Sequence, residues 1–440
     1  MKKLGIYIHI PFCRRKCNYC GFYSKPVDFS DSADDEKAAC IGTENGENLC
    51  TGTGNGKNLY AGAGNGKNLY AGTGNGKNLY AGAGNEKAPK ARGLVDACVQ
   101  APEISYVQRL VATIRERGAK YGGNRMVDSI FVGGGTPSII SSASVSAIIG
   151  AVKENFVVTA DAEITMEANP DSLTGEKLEV YRNCGVNRLS MGIQSFNDEI
   201  LTLLGRCHTR ADALKSFELA RAAGFDNINV DLMFAVPGQN RRDWEKTLEE
   251  AVAIEPEHIS FYSLQIEEGT PFYKDYSDGR LDFVTEETDR EMYHDALRIF
   301  ERAGYEHYEI SNAAKPGFRC RHNLKYWSFD DYLGIGDSAA SFVDGVRFSE
   351  HPDGGYEEYH VNDFEDNTGE FMFTGLRKVG GISKAEFRER FGRDIWEVYG
   401  ERRKYLADFF ERGQLREDAD VLKITERGFD VSNGIMAVFV

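Results

Sequence analysis

Past about residue 101, short apolar runs alternate with helically spaced segments. The runs are SIFVGGG (129–135), EITMEANP (163–170), RLSMGIQSF (188–196), NINVDLMFAVPG (227–238) and HISFYSLQIE (258–267), with KLGIYIHI (3–10) an earlier one. Between them lie ISYVQRLVATIRERGAK, SASVSAIIGAVKEN, TGEKLEVYRNC, RADALKSFELARAA and RDWEKTLEEAVAI. Gly185, Gly224 and Gly304 suit helix C-caps that lead into the next strand. A string of βα units predicts an α/β fold with a parallel sheet and right-handed crossovers. Six or more strands with helices only between them predict a full or partial (β/α) barrel, with a doubly wound open sheet as the alternative. After about residue 365 the rhythm changes to helix, helix and a short strand pair, which reads as a small α+β, winged-helix-like module.

The stretch from about 31 to 92 departs from both patterns. It carries a ten-residue repeat: TGTGNGKNLY, AGAGNGKNLY, AGTGNGKNLY and a decayed AGAGNEKAPK, preceded by IGTENGENLC. Each copy offers an Asn-Gly turn signal but few bulky residues, too little to offset an ordering entropy of about 1–2 kcal/mol per residue. The expectation is a disordered or loosely turn-forming insertion, against a short stacked β-solenoid. Cys40 and Cys50 stand where later copies have Tyr60, Tyr70 and Tyr80, so they read as repeat variants. The expected divisions are thus 1–30 (first strand and its loop), 31–92 (insertion), 93–310 (barrel), 311–364 (a segment packing on the barrel) and 365–440 (C-terminal module).

Composition narrows the function. The formal charge of −16 over 440 residues argues against a general nucleic-acid binder. No apolar run reaches the roughly 18 residues of a membrane span, and the N-terminus lacks a signal-peptide cleavage pattern. The nine cysteines fit a closed disulfide set poorly. A reducing compartment, the cytoplasm, is the simplest expectation.

Three of those cysteines sit together in HIPFCRRKCNYCGFYS: Cys13, Cys17 and Cys20, spaced C-x3-C-x2-C just after the first strand. Structural zinc wants four ligands, usually as two C-x2-C pairs, and the second pair is missing. Three thiolates on one loop can instead hold three irons of a [4Fe–4S] cluster and leave the fourth open. A zinc knuckle completed by His9, or incidental thiols, is the plainer alternative. The strand ends that follow are polar: the glycine-rich GGGTPS (133–138), then Glu167, Gln194 and Asp231, with Arg206 in LGRCHT. Each alone suits a satisfied barrel-rim group; together they point to one pocket.

C-x3-C-x2-C with an aromatic residue, Tyr19, before the last cysteine resembles the radical S-adenosylmethionine (SAM) superfamily. YIHIPFC, GGGTPS, EITMEANP, GVNRLSMGIQSF, LGR-x-H and NVDLMFAVPGQ together resemble its oxygen-independent coproporphyrinogen oxidase group, over most of 1–30 and 100–390. The resemblance implies a radical SAM barrel, with Cys13, Cys17 and Cys20 holding the cluster. It places SAM contacts at Tyr7, Gly134, Gly135, Thr136, Glu167, Gln194, Arg206 and Asp231, beside Tyr19. The group's decarboxylating members carry a further cysteine where this chain has Phe22. RHNLKYW (321–327) resembles the haem-chaperone branch, which implies haem as bound cargo, His322 as a candidate axial ligand, haem-accepting respiratory proteins as partners, an electron donor for the cluster, and a possible homodimer. Packing of His322, Tyr326 and Trp327 onto the barrel is the alternative for that motif. One departure is Ala340, in GIGDSAAS, where the branch has His. Oxidative decarboxylation of coproporphyrinogen III, and a redox-sensing iron–sulfur protein, are the competing functions.

Overall fold

Six strands lie side by side in chain order: β1 (Lys2–Ile10), β2 (Arg125–Gly134), β3 (Val157–Ala168), β4 (Arg188–Gln194), β5 (Ile228–Phe234) and β6 (His258–Ser263). Every neighbouring pair is parallel. The structure is a computed structural model that describes residues 1–27, 39–42, 48–51, 102–351 and 355–440. The crossovers are α1 (Pro102–Tyr121), α2 (Ser142–Asn155), α3 (Gly175–Asn183), α4 (Asp198–Leu204) with α5 (Arg210–Ala222), and α6 (Arg241–Ala253). β4 is buried at all seven positions, as a parallel strand covered on both faces must be. α6 turns Trp244, Leu248 and Ala251 inward and starts at a reciprocal Asn240–Asp243 capping box. Gly185, Gly224 and Gly304 all have φ between 83° and 91°, as their C-cap reading requires.

A strictly consecutive strand order has no switch point, which sets aside the doubly wound alternative. The barrel is partial. Beyond β6 the sheet continues through the antiparallel β8 (Asn312–Ala314) and β7 (Glu306–Glu309). Beyond β1 it continues through β9 (Tyr332–Ile335), parallel to β1, then the antiparallel β10 (Ala340–Val343), β11 (Val346–Glu350) and β12 (Tyr356–Val361). The sheet therefore has twelve strands and two free ends. α7 (Pro271–Ser277), α8 (Glu286–Arg302), α9 (Arg321–Trp327) and α10 (Phe364–Gly375) complete the main body.

In the C-terminal region, Ile382–Ser383, Val421–Ile424 and Leu415–Glu417 form a three-stranded sheet under the helices Lys384–Phe391, Ile395–Tyr399 and Ala407–Glu411. Its core of Phe387, Leu406, Leu422 and Ile424 is continuous with that of the barrel. Within the decamer insertion, Ala39–Gly42 pairs antiparallel with Asn48–Thr51, Cys40 opposite Cys50. The rest of that insertion, and the expectation placed on it, lies outside the described residues. Among the described residues no helix is long and apolar enough to cross a membrane.

Candidate functional site

The cysteine loop is held from both sides. Phe12–Cys13 pairs with Lys25–Pro26, and the Val27 amide donates to the Cys13 carbonyl at 2.9 Å. On one flank the amides of Gly135 and Thr136 donate to Ile10 O (2.8 Å) and Phe12 O (2.7 Å). On the other, Asn18 donates from its amide to Leu204 O and from its side chain to Leu203 O, and it accepts from the Phe272 amide. The glycines are required by this closeness. A Cβ on Gly135 would lie 2.6 Å from Phe12 O and 2.9 Å from Cys13 Sγ. Gly134 has φ 119°, which a side chain rarely tolerates.

The sulfurs face donors. Thr136 Oγ1 lies 3.6 Å from Cys13 Sγ, and Arg206 Nη1 lies 3.5 Å from Cys17 Sγ. Arg206 is fixed by Asn169 Oδ1 at 2.6 Å and Gly192 O at 2.7 Å, and Asn169 in turn donates to Thr136 Oγ1. Asn169 thus ties β3, β4 and the glycine loop together. It lies inside EITMEANP and also lines the cavity, but its bonds to Arg206 and Thr136 are set by residues distant in the chain and carry no sequence signal.

Behind the loop the strand ends converge. Glu167 Oε2 accepts from the Gly134 amide at 3.1 Å. Burial, then the charge of Asp231, pushes the Glu167 carboxyl up to about 8. Asp231 accepts from Asn229 (2.8 Å) and Ser190 (3.3 Å); burial raises its carboxyl too, against those hydrogen bonds. Gln194 has φ 66° at a register shift that ends β4. A non-glycine residue there costs of order 1–2 kcal/mol, and such strain tends to sit where a side chain must be aimed. Cys13, Cys17, Tyr19, Cys20, Gly134, Gly135, Thr136, Glu167, Gln194, Arg206 and Asp231 all line one cavity of about 1210 Å³. Its far wall includes Trp327, Arg377 and Phe429, the last from the C-terminal region, none of which the strand-end pattern points to.

Two expected residues lie elsewhere. Tyr7 and His322 line a smaller cavity of about 230 Å³ deeper in the barrel, which shares Glu167, Ser190, Asp231 and Tyr262 with the larger one. Tyr7 bonds His9 Nδ1 at 3.1 Å. The structure does not offer His322 to a ligand. It is fully buried, with Nδ1 2.9 Å from Ser129 Oγ and Nε2 2.9 Å from Tyr326 Oη, and it stacks on Phe131. Burial, helped by the charges of Lys325 and Arg188, lowers its imidazole to about 3, so it is neutral. Ala340 is exposed at the start of β10.

The chemistry of the donor set fits a cluster better than zinc. His9 has both ring nitrogens engaged, by Tyr7 and by the Tyr23 carbonyl, so it completes no zinc knuckle. Among the described residues no group of three His, Cys, Asp or Glu side chains is placed to hold a single metal ion. Zinc needs its ligands about 2.0–2.3 Å from one centre, whereas thiolates on three separate irons stand farther apart.

Residues 98–251 match the Radical SAM superfamily, and residues 365–431 match the HemN C-terminal domain. The chain is 35 % identical over 346 residues to a protein of Bacillus subtilis named heme chaperone HemW, covering 76 % of this chain and 89 % of that one. A protein of the same name from Escherichia coli is 34 % identical over 357 residues, covering 78 % and 91 %. Among solved structures, coproporphyrinogen III oxidase HemN from Escherichia coli superposes with a TM-score of 0.74 at 19 % identity, covering 100 % of this chain and 90 % of that one. That likeness is one of fold.

Proposed function

Because this chain belongs to the HemW family of radical SAM proteins, we propose that it is a cytoplasmic haem chaperone, which binds haem and passes it to haem-accepting proteins, respiratory ones foremost. The reading rests most on one observation: three thiols, a side-chain-free glycine cradle, three polar strand-end groups and Arg206 line a single cavity. Cys13, Cys17 and Cys20 hold a [4Fe–4S] cluster, and a reduced cluster would supply one-electron cleavage of SAM. The chain's own part is placement. Gly134 and Gly135 let SAM's methionine end approach the backbone. Glu167, raised to about 8 by burial and by the charge of Asp231, accepts from the Gly134 amide and would face bound SAM across this cradle. Gln194 and Asp231 would contact bound SAM from the same cavity wall, and Arg206 holds Cys17 and Asn169 in register.

Phe22 weighs against the decarboxylase. It is 70 % exposed on the loop that lines the cavity, at the position where the resemblance puts that enzyme's extra cysteine. His322 serves haem only if α9 opens, since both its nitrogens are bonded inside.

The test is anaerobic reconstitution followed by two parallel assays. We expect stoichiometric haem binding and no protoporphyrinogen from coproporphyrinogen III with SAM and reductant. Product formation, or no haem binding, would overturn the reading. Comparing His322→Ala then settles the ligand: weakened binding requires α9 to open, and unchanged binding places the iron elsewhere.

A further inference from the structure

At about 1210 Å³ the cavity exceeds the roughly 300–1,000 Å³ of an ordinary small-molecule site, and its walls differ in chemistry. None of the groups expected to seat SAM belongs to the far wall, where Trp327 ends α9, Arg377 follows α10 and Phe429 comes from the C-terminal region. Arg377 is a loosely answered cation. Arg290, which also lines the cavity, pairs with Asp289 and Asp430. Among the described residues Arg377 has one ion pair, Nη2 to Glu309 Oε2 at 3.6 Å, beyond ordinary hydrogen-bond length. Glu309 is fully buried and turns its other oxygen to the Ser311 amide and the Asn312 side chain. Burial raises its carboxyl against the opposing charge of Arg377. The Arg377 guanidinium lies over the Trp327 ring, Cζ 4.3 Å from the centroid, which holds its flat fork in place. Arg377 Nε and Trp327 Nε1 are both buried donors with no acceptor among the described residues. Folded chains rarely leave such donors unmade, so two of them on one stacked pair call for an acceptor from outside the chain.

Resting on the haem-chaperone reading, we propose that Arg377 and Trp327 form the wall that recognises the cargo: Arg377 takes a propionate carboxylate of the tetrapyrrole, and Trp327 flanks it. A carboxylate supplies the two acceptor oxygens that a planar guanidinium fits together. A flat conjugated macrocycle suits the aromatic faces of Trp327 and Phe429. The backbone behind the wall is tied down. The Arg377 carbonyl accepts from the Ile310 amide at 3.2 Å, and Lys378 forms a β-bridge with Glu309 of β7. This grip is on the edge of the macrocycle and is independent of His322, whose nitrogens are bonded inside. It makes free carboxylates the feature by which cargo is chosen, whatever group holds the iron.

The test uses the full-length chain with its cluster reconstituted anaerobically, titrated in parallel with haem and with haem dimethyl ester, whose carboxylates are both capped. The parent should bind haem at least about tenfold more tightly than the ester. Arg377→Gln should lower that ratio at least about fivefold by weakening haem alone, and Arg377→Lys should restore part of it. Trp327→Phe, which keeps a ring and loses the N–H, should lower the ratio by less. Arg290→Gln should leave the ratio unchanged, and Arg377→Gln should leave SAM binding unchanged. A merely structural Arg377 would weaken haem and ester alike, and that result overturns the inference. An equal drop in Arg290→Gln overturns it too. Lost SAM binding in Arg377→Gln with the ratio intact gives the guanidinium to the carboxylate of SAM instead, and also overturns it. If the parent binds haem and ester equally, the inference fails while the haem-chaperone reading stands; if it binds neither, that reading fails with it.

Discussion

Glu167 carries the tension between folding and function at the scale of one residue. Its folded carboxyl titrates near 8, above the ordinary value of about 4.3. A group raised in this way favours the fold while protonated, and the fold loses stability as pH rises from the unfolded value toward 8. Glu167→Gln removes that penalty. We expect the variant to melt higher than the parent, with the gap growing between pH 5 and 8 to about 1–3 kcal/mol once cavity water is allowed for, and to bind SAM at least tenfold more weakly. Equal melting curves at pH 8 would show that the carboxyl is not strained. His322 teaches the opposite lesson about reading sequence. The motif around it was legible, but not what its nitrogens do. Those are decided by Ser129, far away on β2, and by Tyr326 one turn on along α9. A histidine's partners in three dimensions are what separate a ligand from a packing residue, and spacing does not encode them.

At the scale of elements, the parallel strands and their crossovers were legible because each is a short apolar run bounded by an amphipathic helix and a glycine cap. β2 and β3 nevertheless begin four and six residues before their apolar runs, at Arg125 and Val157, where mixed polar stretches pair without announcing it. β9 to β12 went unread. YLGI, ASFV, VRFSE and YEEYHV are each only four to six residues long, and none carries the longer apolar run bounded by helices that was used to find the others. Among candidate site residues, those borne on parallel strand ends were legible because the barrel places such ends on one side. The glycine loop is the element on which the site depends most. Gly135→Ala would force the loop from Phe12 O and Cys13 Sγ, both closer than 3 Å to the new methyl. We expect the variant to fold with unchanged far-ultraviolet circular dichroism but to retain less than a third of the parent's iron after reconstitution. Full iron content would detach the glycine cradle from cluster binding.

For the whole molecule, buried histidine sets the response to acid. Burial, and for His208 the neighbouring Arg206, lowers the imidazoles of His208 and His307 to about 4. His322 stands at about 3, and His258 is also pushed well down. Unfolded, each takes a proton near 6.5. The stability these groups contribute is therefore complete above about pH 6.5 and is lost as pH falls toward 4. We expect the melting temperature to drop steeply between pH 6.5 and 4.5, and His208→Gln to make the drop shallower; a variant with an unchanged slope would remove His208 from the account. The architecture also bears on how such a chain can change over generations. Val27 is tied to the Cys13 carbonyl, and α1 restarts the barrel at Pro102, so the cluster loop is closed before the decamers begin. Near-identical tandem copies are prone to gain or loss by slippage during replication. Placed between two such anchors, a change of one whole decamer alters neither the register of a barrel strand nor the spacing within the cysteine trio, which makes this a stretch where the gene is free to keep count loosely.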